Sequence, residues 1–285
     1  MNYTALIIDM RKSKMMSVEA RFEAQLLMKN CINKLHFLFD SKLRYDVDFS
    51  GGDSVQGVFK SSAAAYLYAR LFLLLMYPVP MRCGLGFGTI DIQMEKMKTN
   101  AQDGIAYHKA KYSVDEYKDE QDRNIIFFSE EKIDRTINAL LLASGILHKN
   151  HTSIQHGYQM LLELQTPIII DSFQNKFKNI VPFMLERVNS IRKERQFVDI
   201  ENYKYSEDPF LLEDELYFSN NNNSKSKIII NTNRHGQATA IAKAVGVQHQ
   251  SVTDILNRSS AHRIRDIEAV VALMLLEKYD REEVF

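Results

Sequence analysis

The stretch from Ala238 to Asn257 constrains this chain more than any other: Ala-Thr-Ala-Ile-Ala-Lys-Ala-Val-Gly-Val-Gln-His-Gln-Ser-Val-Thr-Asp-Ile-Leu-Asn. Two short helices that cross steeply need a small residue where they touch, and Ala242 stands there. The tight turn between them needs a residue that tolerates positive φ, and Gly246 supplies it. Ile241, Val245, Val247, Val252 and Ile255 fall where first helix, turn and second helix must face a core. The pattern predicts a helix-turn-helix. Its polar residues also fall where a major-groove reader needs them. Gln248, His249, Gln250 and Ser251 open the second helix, and Thr253 and Asn257 continue the same face. Glutamine pairs bidentately with adenine and serine serves several bases. Arg258, His262, Arg263 and Arg265 are placed to hold phosphates. The same pattern fits an αα-hairpin packed against the rest of the protein, and Asp254 on the second helix speaks for that alternative. The final helix, Ile264 to Lys278, carries Ile267, Val270, Val271, Met274 and Leu275 on one stripe. It either completes a small helical domain or forms a dimer seam. Double-stranded DNA is the expected partner, and a homodimer the expected state, because such modules read paired half-sites.

Lys plus Arg and Asp plus Glu number 36 each, so any nucleic-acid contact must come from a local surface and not from bulk charge. The two cysteines, Cys31 and Cys83, make no disulfide framework, and no Cys/His spacing points to zinc. His36, His148, His151 and His156 form no ligand spacing and read as surface or core histidines. The start, Met-Asn-Tyr-Thr, reaches Asp9 before a signal-like apolar segment can form. The most apolar run, Leu71 to Tyr77, is too short to span a bilayer. The expectation is a soluble cytoplasmic protein with no membrane partner.

Upstream, Tyr3 to Ile8 reads as a buried strand and Ser17 to Phe39 as an amphipathic helix, with Phe22, Leu26, Cys31, Leu35 and Leu38 on its stripe. Arg44 to Phe49 and Ser54 to Phe59 flank a Ser-Gly-Gly-Asp break, a strong hairpin signal. A helix over Ser61 to Tyr77, a strand over Met81 to Ile92, a helix over Ala106 to Tyr117 and a strand over Arg123 to Phe128 follow. This order predicts an α+β sheet with helices on one face. From Glu130 to about Gln196 the pattern is helical, and Glu201 to Lys227, with its Asn220 to Asn223 run, reads as a linker. The expected segments are 1–130, a helical 131–200, the linker 201–227 and a helix-turn-helix domain over 228–285.

At the N-terminal end three features stand together. Asp9 ends the first strand, Asp53 sits at the hairpin tip after Gly51 and Gly52, and the glycines 84, 86 and 88 punctuate a later strand. If the first strand lies beside the hairpin, the carboxylates converge and can hold Mg²⁺ or Mn²⁺, which in turn clamps a nucleoside triphosphate. The glycines allow close approach of a ligand. Arg11, Lys12, Ser13 and Lys14 open a helix whose amides and cations can take phosphates, and Lys111 is a further phosphate candidate on the later helix. The structural alternative is an aspartate that caps a helix and a Gly-Gly-Asp that is only turn chemistry.

The arrangement resembles the ferredoxin-like palm of class III nucleotide cyclases, GGDEF diguanylate cyclases and polymerases. It is more similar still to the SatD family, a palm followed by a C-terminal helix-turn-helix. The residues that carry the resemblance are Ile8-Asp9 with Ser13-Lys14, Ser50-Gly-Gly-Asp-Ser-Val-Gln-Gly57, Tyr77-Pro78 before Arg82-Cys-Gly-Leu-Gly-Phe-Gly88, and Asp103-Gly-Ile-Ala-Tyr-His-Lys-Ala-Lys111. They span residues 1 to about 130. The chain departs from the pattern at Ser54, where an acidic residue follows the hairpin aspartate, and at His108, Lys109 and Lys111, where cyclases place Asn and Arg. The resemblance implies a metal at Asp9 and Asp53 but supplies no settled activity and no assigned catalytic residue. Three readings follow: a DNA-binding regulator whose palm senses or processes a nucleotide, an active nucleotidyl cyclase or nucleotidyltransferase, and a non-catalytic palm-derived scaffold.

Overall fold

Strand β1 (Tyr3–Met10) is apolar at nearly every position because both of its faces are covered, the situation that produces a continuous hydrophobic run. The computed structural model describes residues 1–90, 103–170, 173–192, 198, 203, 209–217 and 230–280. After β1 come α1 (Val18–Phe39), β2 (Leu43–Phe49), β3 (Ser54–Phe59), α2 (Ser62–Met76), β4 (Met81–Gly88), α3 (Ile105–Glu116), β5 (Ile125–Phe128) and α4 (Asp134–His148). The strands form one mixed sheet in the order β2-β3-β1-β4-β5. All neighbours are antiparallel except β4 and β5, which are parallel. Both long helices start where a serine side chain accepts an orphan amide: Ser17 Oγ from Ala20 N at 3.1 Å and Ser61 Oγ from Ala64 N at 3.0 Å.

Alternation along β1 assigns the two faces. Thr4 shares a 2.7 Å hydrogen bond with Ser62 on α2, whereas its neighbour Ala5 belongs to the cluster of Tyr3, Val58, Ala106, Tyr107 and Ala110 that includes α3. The sheet therefore carries α2 on one face and α3 on the other, which corrects the expectation of helices on one face. The glycines of β4 explain how. A Cβ at Gly84 or Gly86 would run into the backbone of Ala110 or Ala106, so these glycines let α3 lie directly on the strand. The space read from sequence as room for a ligand is filled by a helix. Across the sheet, Phe39, Phe59, Tyr68 and Phe72 form an aromatic core with centroid separations of 5.3–6.3 Å.

The buried face of α1 also differs from expectation. Cys31, Leu35 and Leu38 are buried, but Phe22 and Leu26 are 64% and 51% exposed, and Ala24, Met28 and Ile32 take the inward positions. The chain end rejoins this core: Tyr279 packs on Phe87 and Phe127 and shares a hydrogen bond with Ser129, and Asp280 accepts from Ser61 Oγ, Ser62 N and Ala63 N.

The described residues divide into two compact units, one from 1–146 and 274–280, the other from 147–273, a division drawn at other points than the segments expected from sequence. The second unit contains α5 (Ser153–Gln165), β6 (Ile168–Ile169), α6 (Gln174–Phe177), α7 (Val181–Arg192), β7 (Phe210–Leu211), α8 (Leu212–Tyr217), α9 (Gln237–Val245), α10 (His249–Arg258) and most of α11 (Ala261–Leu275). Helix α5 starts with a capping box between Thr152 and Gln155 and is buried from His156 to Gln165. The stretch read as a linker contains β7 and α8: β7 pairs in parallel with β6, and Phe210 and Leu212 are fully buried. Its polar composition hid two core anchors. The expected strand end at Ile92, the end of the helical stretch at Gln196 and the Asn220–Asn223 run lie outside the described residues. Among the described residues, no helix is long and apolar enough to cross a membrane.

Candidate functional site

Asp9 and Asp53 meet at one end of the sheet. Asp9 is the penultimate residue of β1 and stands opposite Ser54 on β3 and Arg82 on β4. The hairpin closes over it, with Met10 N donating to Asp53 O at 2.9 Å. Arg82 grips Asp9 Oδ2 through Nε at 2.9 Å and through Nη2. Asp53 Oδ2 accepts from the hydroxyl of buried Ser13. Burial raises the Asp9 carboxyl above its ordinary value, the hydrogen bond and charge of Arg82 pull it down, and the charges of Asp53 and Asp115 push it up again. Two carboxylates, Asp9 and Asp53, thus lie close together beside Arg82, with the Arg11 guanidinium near enough to feel the charges of Asp9 and Arg82. Asp9 and Asp53 both accept these hydrogen bonds at Oδ2. Asp9 and Asp53 are the neighbouring oxygen donors here that could hold a divalent cation.

The residues expected to take phosphates divide. Lys12, in the left-handed conformation at φ 55°, and Lys14 are exposed on either side of buried Ser13. Gly51 and Gly52 are exposed at the hairpin tip, where Gln25 Nε2 donates to Gly52 O. Arg11 is committed elsewhere, its guanidinium donating to the carbonyls of Met81, Lys118 and Arg123. Lys111 is exposed on α3 and paired with Asp115 at 3.4 Å. Lys109 donates to Ser129 O at 2.8 Å and pairs with Glu130. Arg82 was missed as a neighbour of Asp9. A lone charge in the strand Met81–Gly88 was the available signal for Arg82.

The model of the SatD family matches residues 3–189, which includes Asp9, Asp53 and Arg82. The chain belongs to the SatD family. Among curated proteins and solved structures, none matches. The SatD match ends before α9, so the family assignment rests on the sheet unit and the helices up to α7 and not on the C-terminal helices.

Those C-terminal helices form a second candidate surface. Helix α9 ends at Gly246 with φ 75° and ψ 33°, and the amides of Gly246 and Val247 both donate to Ala242 O, at 2.9 and 3.0 Å. Ile241, Ala242, Val245, Val252 and Leu256 are buried. Gln248, His249, Gln250, Ser251, Asn257 and Arg258 are exposed, and Thr253 is half-buried, its hydroxyl donating to His249 O at 3.1 Å. Gln250 donates to Asp254 at 2.9 Å. A cleft beside these residues is lined by Asn233, Arg234, His235, His249, Thr253 and Asn257. Arg263 is exposed and His262 half-buried, but Arg265 is not available for phosphate. It is fully buried, and its guanidinium donates to the Glu163 carboxylate and to Thr166 O.

The histidines correct another expectation. His36 is half-exposed beside Asp46, but one ring nitrogen each of His148, His151 and His156 lies within 4.8 Å of the other two. Burial holds the His151 imidazole below its ordinary value, with His148 adding to the shift.

Proposed function

We propose that this SatD protein is a DNA-binding regulator whose sheet unit is a palm-like domain that senses or processes a nucleotide with Mg²⁺ or Mn²⁺. The observation that carries the reading is the α9–Gly246–α10 geometry: a left-handed glycine between two short helices, with the first residues of α10 polar and exposed. That is the form of a helix-turn-helix, whose second helix meets base edges in the major groove with its N-terminal residues. In this reading Gln248, His249, Gln250, Ser251, Thr253 and Asn257 face bases, and Arg258 faces a phosphate. Arg234, in the cleft beside the start of α10, is a further cation on the side where a phosphate would lie.

The palm half is supported by the element order β1-α1-β2-β3-α2-β4 with strand order β2-β3-β1-β4, the ferredoxin-like arrangement. Asp9 and Asp53 are the pair that would hold the cation, and exposed Lys12 and Lys14 the cations that would meet phosphates. A bound divalent ion would offset part of the triphosphate's negative charge. The chain's own residues would orient it: Ser13 by fixing the Asp53 carboxylate, Arg82 by fixing Asp9. The convergence of Asp9 and Asp53 also favours a second reading, an active nucleotidyl cyclase or nucleotidyltransferase.

The DNA half is tested by selecting duplexes from a random pool and comparing wild type with Gln250→Ala. Specific affinity falls more than nonspecific affinity if Gln250 reads a base, and equal loss on both removes the base-reading role. The palm half is tested by thermal shift with a panel of nucleoside triphosphates and Mn²⁺. Stabilisation that is lost in Asp53→Asn supports the site. Product in those samples favours the enzyme. No shift, with DNA affinity unchanged by Asp9→Asn, leaves the palm as a scaffold.

A further inference from the structure

The second unit buries a polar stripe on its central helix. His156, Gln159 and Glu163 lie on α5 at buried positions, and each meets polar groups from elsewhere in the unit. Glu163 takes Arg265. His156 meets His148 and His151, which flank the break between α4 and α5. Gln159 Nε2 lies 3.2 Å from His148 Nε2, and Glu268 Oε1 on α11 lies 3.3 Å from the same nitrogen. An amide NH₂ donates and a carboxylate accepts. A neutral ring nitrogen carries either a proton or a lone pair, so it satisfies one of these neighbours and opposes the other.

His151 is oriented by a different contact. Its Nε2 lies 2.8 Å from Ser259 O, a group that only accepts, so Nε2 carries the proton and Nδ1 the lone pair. That Nδ1 is buried and has no hydrogen-bond partner among the described residues, and neither has Gln159 Oε1. Gln159 faces His151 without forming a hydrogen bond of ordinary geometry. A cluster rich in lone pairs and short of protons is the chemical complement of a cation. A ring N–H given to a backbone carbonyl is also the usual way in which a ligating histidine has its tautomer and ring orientation fixed.

We propose that His148, His151 and His156 bind a divalent transition-metal ion of the zinc class, with Glu268 as the adjacent carboxylate. Imidazole ligands suit Zn²⁺, and a tetrahedral Zn²⁺ with bonds of about 2.0–2.1 Å sets its ligand atoms about 3.4 Å apart. The three nitrogens, within 4.8 Å of one another, reach that spacing when each moves inward by less than about 1 Å, a side-chain adjustment. The ion ties the α4–α5 connection to α5 and, through Ser259 and Glu268, to the end of α10 and the middle of α11. Its role is to stabilise the unit that also carries α9 and α10, and it is distinct from a cation at Asp9 and Asp53.

The test uses the full chain stripped with chelator and titrated with Zn²⁺ by calorimetry, with Co²⁺ as a spectroscopic substitute and circular dichroism as a control for folding. One Zn²⁺ per chain is expected, with a raised melting temperature and the visible absorption of tetrahedral Co²⁺. His151→Ala, in the half-exposed connection, weakens binding by more than the about 10–100-fold that loss of an outer-shell partner causes. His148→Ala/His151→Ala/His156→Ala abolishes it, and Asp53→Asn leaves it unchanged. If His156→Ala does not fold, His151→Ala alone carries the comparison. Zn²⁺ uptake by the triple variant equal to wild type, or no uptake by wild type, overturns the proposal and leaves a hydrogen-bonded polar cluster.

Discussion

Arg265→Met separates a structural arginine from a DNA-contacting one. Arg265 and Glu163 are both 0% exposed, and the arginine also donates to Thr166 O, while Glu163 Oε1 accepts from Ile168 N at 3.1 Å. The pair therefore joins α11, α5 and the strand β6. Methionine preserves much of the volume but leaves the Glu163 carboxylate without its cation in a site closed to water. Breaking a buried pair in this way costs about 3–5 kcal/mol, a large part of the roughly 5–15 kcal/mol by which a domain is stable. The expected result is a fall of roughly 10 °C or more in the melting temperature of the second unit. Glu163→Gln/Arg265→Met removes the stranded charge yet keeps an amide oxygen for Ile168 N, so it recovers about half of the loss or more. Urea denaturation and calorimetry measure both variants, and DNA affinity is read at a temperature where each is folded. A variant Arg265→Met that melts within about 2 °C of wild type but loses DNA affinity would refute the reasoning, because the side chain would then have to reach a phosphate.

Arg258→Ala is the opposite case: it is exposed, so its melting temperature stays at the wild-type value while the salt dependence of DNA binding falls by about one counterion. Asp280, buried against the start of α2, has its carboxyl pushed up to about 6 by burial, against the hydrogen bonds from Ser61, Ser62 and Ala63. The folded state therefore holds the proton more tightly than the unfolded chain, and stability present below about pH 4 is lost as pH rises to about 6, by roughly 3 kcal/mol. Asp280→Asn flattens that slope in pH-dependent urea titrations, and an unchanged slope would assign it to another group. Gly86→Ala drives a methyl group into the backbone of Ala106 and Ala110, which cannot rotate away, and destabilises by about 1–3 kcal/mol. Gly51→Ala, which meets only a serine hydroxyl at 3.3 Å at the exposed hairpin tip, stays within about 0.5 kcal/mol in the same denaturation series.

The elements of the sheet were legible because each carries its signal locally. Alternation and a Gly-Gly-Asp turn predict strands over Arg44–Phe49 and Ser54–Phe59, against the observed Leu43–Phe49 and Ser54–Phe59, and apolar stripes place helices where α1 and α2 lie. The side each element faces was less legible, for a physical reason. A glycine in a strand signals close approach without saying of what, so Gly84 and Gly86 served equally for a ligand or for α3. Along α1 apolar residues occupy more than one face, and periodicity alone does not tell that Met28 and Ile32 turn inward while Phe22 and Leu26 turn out.

Charged and ligating side chains were hardest, because their meaning is set by a partner far away in sequence. Arg263 and Arg265 are two residues apart on one helix, and successive residues turn by about 100°, so one is exposed and the other buried. Which one serves structure is decided by Glu163, 102 positions upstream. His148, His151 and His156 show no helical i, i+4 pairing because the chain leaves α4 and enters α5 between them, and the reversal at Thr152 brings their rings together. Asp53 comes near Asp9 through strand pairing: the Gly-Gly-Asp hairpin is local, and once Ser54 of β3 pairs with Asp9 of β1, the preceding residue falls beside it. Arg82 follows from the same register on the other side of β1, since a strand that places Cys83 opposite Ile8 places its only charge opposite Asp9. A site built on adjacent strands can thus be read from sequence as far as the strand pairing can, whereas a site built between helices waits for their packing.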